Sequence, residues 1–466
     1  VLLAQSNLRL AFLYITGGAI AVMGLVETFR KNNNEKLKND QDKEKNDREH
    51  ERWVKAERRE RYAKAVEQLG DEKAPVRMGG VYTLVGLVDD WLEEKSLSDD
   101  ERLKEGQAII NNLCAYIRSP FPLASYYDEL SQASPTSEGI YKDKEEEFYA
   151  DKAVLKSEAD VRFGIIKEMH DHIQASREND WGPWSNFEYN FSGSVFFYPV
   201  ELTKSYYKKP VNFSGSHYYK KVDFSGSTYE KDATFSTSNF RSTYKDVAYF
   251  YGSIYQGEAD FSRSTYQSWA DFRDSIYQSW ADFSRSTYQD GALFSRSIYQ
   301  GGALFSRSTY QDGADFSCST YQGGAHFSGS IFYQKVYFGA DGDNSSFSRF
   351  TDCAPQFYDE TNHKNTLFGS PNNDFTVENG RGYPIYRNFE GLPLGCKFLT
   401  SEQKEYLEGK LQEIEKINNK LRDVKHLKEK EELLKKLRSL NEELRKWREE
   451  ATTVKVEDVA AEDTES

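Results

Sequence analysis

Between residues 191 and 338 the chain repeats itself every 11 residues, and nothing else in its 466 residues restricts the fold as much. Phe261, Phe272, Phe283, Phe294, Phe305, Phe316 and Phe327 keep this period, and Tyr266, Tyr277, Tyr288, Tyr299, Tyr310 and Tyr321 keep it five residues later. An Ala stands two residues before each Phe (Ala259, Ala270, Ala281) and a Ser two before each Tyr (Ser264, Ser275, Ser286). In extended chain, residues two apart face the same way, so each ring and its small partner share an interior and the residues between them meet water. Stacked coils then lay ring on ring, and the small residue leaves room for it. The register runs back through Tyr255 and Phe250 and, past a four-residue irregularity around Phe240, to Phe191. Four such sides, or two 11-residue units, make a coil of about 22 residues, and six or seven coils at ~4.8 Å each give a rod on the order of 30 Å long.

The unit Ala-x-Phe-Ser-x-Ser-x-Tyr-Gln-x-x resembles the pentapeptide-repeat family, with one extra residue per pair of pentapeptides and with Phe or Tyr at centres where Leu is common. The resemblance covers about a third of the chain and implies a mainly β, right-handed, four-sided solenoid over residues 187–340. Residues 61–70 and 76–82 also resemble the helical stretch that precedes the repeat in membrane-anchored bacterial members. Lys64, Glu67 and Arg77 in that stretch read as helix-surface charges.

Residues 10–26 are an uncharged run of 17, close to the ~20 needed to span a bilayer as a helix. Arg30, Lys31, Lys36 and Lys38 follow it and only Arg9 precedes it, which predicts a single-pass membrane protein with the bulk of the chain cytoplasmic. A cleaved signal peptide ending at Ala19-Ile20-Ala21 is the competing reading, against which Val22, Met23, Leu25 and Val26 continue the apolar run. The opening Val leaves room for an upstream segment. The expected organisation is an anchor over 1–30, a charged helical stalk over 31–60, a helical region over 61–180, the solenoid, and an irregular cap over 341–400. In the helical region Pro75 opens one helix, with Val81, Leu84, Val85 and Val88 facing inward, and Ile109, Ile110, Leu113 and Ile117 mark another.

Residues 401–450 carry an apolar stripe, including Leu407, Leu411, Ile414, Ile417, Leu440, Leu444 and Trp447, at steps mainly of three and four. A coiled coil joining copies of the chain, a bent hairpin, or a helix lying on the rod each satisfies it. The acidic tail, 451–466, is short of large apolar residues and reads as disordered.

The net charge of −14 comes from the flanks, because residues 187–340 hold 14 acidic and 14 basic side chains. A neutral rod argues against a mimic of nucleic acid, and a soluble DNA-mimic modulator of a topoisomerase stands as the alternative to the leading reading. Cys114, Cys318, Cys353 and Cys396 form no CxxC pair, and His170 and His172 have no third ligand nearby, so neither a metal nor a cofactor is expected. No P-loop, dinucleotide fingerprint or Ser-His-Asp spacing points to an enzyme. The expectation is a membrane-tethered, non-enzymatic scaffold for a protein partner. Trp269, Trp280, Arg285, Arg296 and Arg307 are the candidate contacts, Arg263 shares the outward position of the arginines, and the carboxyl-terminal helix is a candidate for self-association.

Overall fold

A computed structural model describes residues 2–136, 139–174, 181–236, 242–340, 346–378, 380–423 and 427–453, apart from the side chains of 2–17, 20, 415, 418, 419, 421–423, 427–431, 434 and 438. The chain divides into two bodies, residues 1–67 and 68–466.

The first body lies within one helix, α1 (Leu2–Leu69). Its charged part is laced by ion pairs one turn apart, Lys45 with Glu49 and Arg61 with Glu57, which support a helix that has no apolar stripe to bury. Val22, Met23, Leu25, Val26 and Phe29 are exposed. The run 10–26 lies largely outside the described side chains, and among the described residues no helix is long and apolar enough to cross a membrane.

The second body opens with α2 (Ala74–Leu92), which has Pro75 in its first turn and buries Val81, Leu84, Leu87, Val88 and Trp91. In α3 (Asp99–Arg118) the Ser98 hydroxyl and the Glu101 carboxylate cap each other's backbone N–H, and Ile109, Ile110, Leu113 and Ile117 are buried. A 3-10 turn, Pro122–Tyr126, and the short α4 (Tyr127–Leu130) lead to α5 (Glu145–Ile173). The apolar face of α5 carries Glu158 and Arg162, both buried. Arg162 Nε donates to Glu158 at 2.7 Å, while its other nitrogens donate to the Ile117 and Ser119 carbonyls at 2.7 and 2.9 Å. Its guanidinium also lies over the rings of Tyr116, Phe121 and Phe197. Because Phe197 belongs to the first turn of the solenoid, this fully paired buried charge joins helices to repeat.

From Tyr189 onward, two-residue parallel strands form four sheets, one per side of a β-solenoid of about seven turns. Neighbours on a sheet are one turn apart: Ala259 beside Ala281, Thr265 beside Thr287, Ala270 beside Ala292, Ile276 beside Ile298. One 11-residue unit therefore makes half a turn. The Phe and Tyr residues from Phe261 to Phe327 that define the repeat are at most 1% exposed. Phe261 stacks on Phe283 at 5.1 Å and 1°, and Tyr266 on Tyr288 at 5.0 Å and 3°. On the axis the two Phe columns meet edge to face, Phe261 against Phe272 at 5.0 Å and 75°. The small position completes the lattice: Ser286 Oγ donates to the Phe261 carbonyl at 3.3 Å and accepts from Ser264 N at 3.2 Å.

The columns do not stop at Ala340, where an irregular cap was expected to begin. Phe350 stacks on Tyr321, Phe357 on Phe327 and Phe368 on Phe332 at 4.6, 4.9 and 5.4 Å, and Phe375 approaches Phe338 at 6.1 Å. They build a further turn whose connecting segments are longer than those of the repeat, so the 11-residue spacing is lost while the ring columns persist.

Last come α6 (Ser401–Asp423) and α7 (Leu427–Ala451), an antiparallel hairpin. Leu407, Leu411, Leu444 and Trp447 pack on Ile331, Leu367 and Leu399 of the solenoid end, and Ile414, Ile417 and Leu440 pack between the helices. Lys410 pairs with Glu443 at 2.8 Å, and Arg448 Nη1 reaches Thr309 Oγ1 at 3.4 Å. Of the readings open for the stripe, the hairpin and the helix on the rod both hold. The described apolar side chains pack on the solenoid end and between the two helices, and a coiled coil joining copies is not shown. Val424 and the tail from residue 454 lie outside the described residues.

Candidate functional site

Half a turn per unit decides where the outward side chains go. Alternate units land on opposite corners, so the four arginines do not form one row. Arg263, Arg285 and Arg307 stand above one another, a turn apart, whereas Arg296 lies on the opposite corner in line with Asp274 and Cys318. There Arg296 is already engaged: Nε and Nη2 donate to the two Asp274 carboxylate oxygens at 2.7 and 2.9 Å. Trp269 and Trp280 are separated in the same way. Each indole lies against a glycine one turn on, with the position of a Cβ at Gly291 3.7 Å from Trp269 and at Gly302 2.8 Å from Trp280. Both remain about half exposed, at 50% and 52%. Each packs on its own corner, on opposite sides of the solenoid, so the two indoles do not adjoin.

The corner itself is conformationally demanding. It needs a left-handed backbone, which Gly193, Gly215 and Gly329 supply on the arginine side, each at φ of 70°, and Gly226 and Gly252 supply on the opposite corner at 68° and 65°. In the intervening turns the same position holds Arg263, Arg285 and Arg307 at φ of 57°, 59° and 58°. A side chain with a Cβ loses about 1–2 kcal/mol there. Glycine is available to this repeat, yet these turns carry arginine. The pattern was readable in the sequence as Phe-Ser-Gly-Ser at Phe191, Phe213, Phe224 and Phe327 against Phe-Ser-Arg-Ser at Phe261, Phe283, Phe294 and Phe305, but only the left-handed geometry shows that arginine is unfavourable there.

The three arginines line a polar groove of about 690 Å³ together with Asp260, Asp282 and Asp359. Its carboxylates are committed. Asp260 and Asp282 accept from the backbone N–H of Ser262 and Ser284 at 2.9 and 2.8 Å, and Asp359 accepts from Thr361 and Asn362. Burial pushes Asp260 up to about 6, and the neighbouring Asp282 adds to the shift. The Arg263, Arg285 and Arg307 side chains have no hydrogen bond or ion pair among the described residues. Burial, followed by repulsion from Arg263 and Arg307 above and below, depresses Arg285 from its usual value. Each guanidinium lines the groove with five N–H donors.

The histidine pair of α5 goes two ways: His170 Nε2 meets the Thr203 carbonyl at 2.8 Å, and His172 Nε2 meets Asp89 at 3.2 Å. Among the described residues no cluster of His, Cys, Asp and Glu is arranged to hold a metal. Arg77, read as a surface charge, is mostly buried and lies 3.3 Å from Glu158, which makes it part of the Arg162 network. No family model, no curated protein and no solved structure matches the chain.

Proposed function

We propose that this chain is a non-enzymatic interaction scaffold whose solenoid, a repeat of the pentapeptide class, presents side chains in straight columns to a protein partner. The observation that supports this reading is the arginine corner. Three cations are held in register on a rigid lattice, in a conformation that disfavours them, beside a groove whose own acids are committed elsewhere. Strained residues of this kind collect at functional sites. The apolar run 10–26 and the basic residues behind it support a membrane tether with the solenoid on the cytoplasmic side.

A photo-crosslinking amino acid at Leu304, between the arginine turns, tests the scaffold. Discrete intermolecular adducts in expressing cells, lost when Arg263, Arg285 and Arg307 become Gly, are expected. A cell without such adducts removes the reading. Alkaline extraction of the same membranes tests the tether, which fails if the protein leaves with the soluble fraction.

A further inference from the structure

The carboxyl-terminal end of the described chain arrives at the foot of the arginine column. Thr453 bridges Lys364 in antiparallel fashion, Lys364 Nζ donates to Thr453 Oγ1 at 2.6 Å, and Asn365 N donates to the Thr452 carbonyl at 2.9 Å. On its other side Lys364 pairs in register with Asp359, a lining residue of the groove. A Cβ at Gly329 would lie 3.2 Å from Arg307 and 3.6 Å from Lys364, so these two cations border the same corner. The carboxylates nearby are taken, since Glu449 pairs with Lys364 at 3.1 Å.

The sequence continues for 13 residues beyond Thr453, to Ser466, with Glu457, Asp458, Glu462, Asp463 and Glu465 against a single Lys455. Length is sufficient. Arg263 stands two turns above Arg307, ~10 Å at the strand spacing, and 13 extended residues reach ~43 Å. A short tether also provides an effective concentration on the order of mM, enough to fill a site that a free peptide would occupy only weakly.

We propose that the groove lined by Arg263, Arg285 and Arg307 is a docking site for the chain's own acidic segment, residues 454–466, bound in cis. The segment satisfies the guanidinium donors and covers the surface that the scaffold reading assigns to a partner. That partner must displace it. The inference rests on the scaffold reading for this regulatory meaning, but the docking itself is tested separately.

The experiment places a photo-crosslinking amino acid at Val459 of the full chain and maps the adducts by mass spectrometry. Intramolecular adducts to peptides carrying Arg263, Arg285 or Arg307 are expected, unchanged on ten-fold dilution and reduced at least five-fold at 0.5 M NaCl, where exposed charge is screened within ~4 Å. The triple variant R263G/R285G/R307G should lose them by a similar factor. It is expected to fold, because glycine is the residue of the same corner at Gly193, Gly215 and Gly329. Adducts elsewhere, adducts joining two copies, or adducts that survive the triple variant would each overturn the proposal. External adducts from Leu304 with none from Val459 would leave the scaffold standing and the docking refuted.

Discussion

An arginine at φ near +58° and a glycine at φ near +68° occupy equivalent corners of this solenoid, and the difference can be measured. Replacing Arg285 by Gly removes about 1–2 kcal/mol of backbone strain and some repulsion from Arg263 and Arg307, against less than 1 kcal/mol for the extra freedom of glycine in the unfolded chain. Arg285→Gly is therefore expected to leave the melting temperature unchanged or raise it by a few degrees. A clear fall in thermal unfolding would mean that the arginine supports the fold. The buried phenols invite a similar comparison. Among the described residues none of the hydroxyls of Tyr255, Tyr266, Tyr277, Tyr288 and Tyr299 has a hydrogen-bond partner, and burial pushes Tyr277 well above its usual pKa. Rungs of the same columns are Phe at Phe196, Phe332 and Phe350, so the lattice accepts the ring without the oxygen. Tyr277→Phe should stabilise by on the order of 1 kcal/mol by removing an unsatisfied buried hydroxyl. Tyr277→Ala opens a cavity in the stack and should cost about 3–5 kcal/mol in denaturant unfolding. Nothing in the structure explains why these columns keep tyrosine.

Elements meet where the helices close the amino-terminal end of the solenoid. Trp184 is fully buried, stacks on His172 at 4.3 Å and donates to Asp89 at 2.9 Å, so one carboxylate serves both rings. Burial works against a charged His172, but Asp89 and the Glu168 carbonyl together outweigh burial and raise it above its ordinary value near 6.5. A histidine raised in the folded state binds its proton more tightly there than in the unfolded chain. The stability it adds is complete below pH 6.5 and is lost as pH rises through the raised value. The difference in melting temperature between the native chain and His172→Gln should shrink from pH 6 to pH 8.5, and a constant difference would show that the contact is not ionic. This junction was poorly legible in the sequence. Periodicity marks α2 and α3, but Glu158 and Arg162 interrupt the apolar face of α5, and their mutual satisfaction is visible only in three dimensions. The turn beyond Ala340 was hidden because its rings, Phe350, Phe357, Phe368 and Phe375, are spaced by loops of unequal length. The stripe of α6 and α7 was plain, yet a stripe does not say which surface will cover it.

For the whole solenoid, the decisive quantity is the phase between sequence and space. The 11-residue period was evident, but its consequence for function depends on whether a unit makes half a turn or a full one. The grouping of Arg296 with Arg285 and Arg307 failed on that point. A second signal was present: Thr265, Thr287 and Thr309 alternate with Ile254, Ile276 and Ile298, which separates the sides in steps of 22 residues. The Thr column faces the hairpin, through Arg448 at Thr309, and the Ile column lies on the opposite sheet, with Ile298 36% exposed. Deleting residues 276–286, one unit, joins Ser275 to Thr287 without disturbing the repeat, but it turns everything beyond by half a turn. Thr265 should then lie beside Ile298, where it now lies beside Thr287. With Cys318 and Cys353 changed to Ser, a short bis-thiol reagent should crosslink T265C to T287C only in the undeleted chain, and T265C to I298C only in the deleted one. Adjacent strands ~4.8 Å apart permit that reaction, and opposite sides of the solenoid do not. If T265C still reacted with T287C after the deletion, the chain would be absorbing the missing half turn in a loop, and the rigid columns on which the scaffold reading depends would not exist.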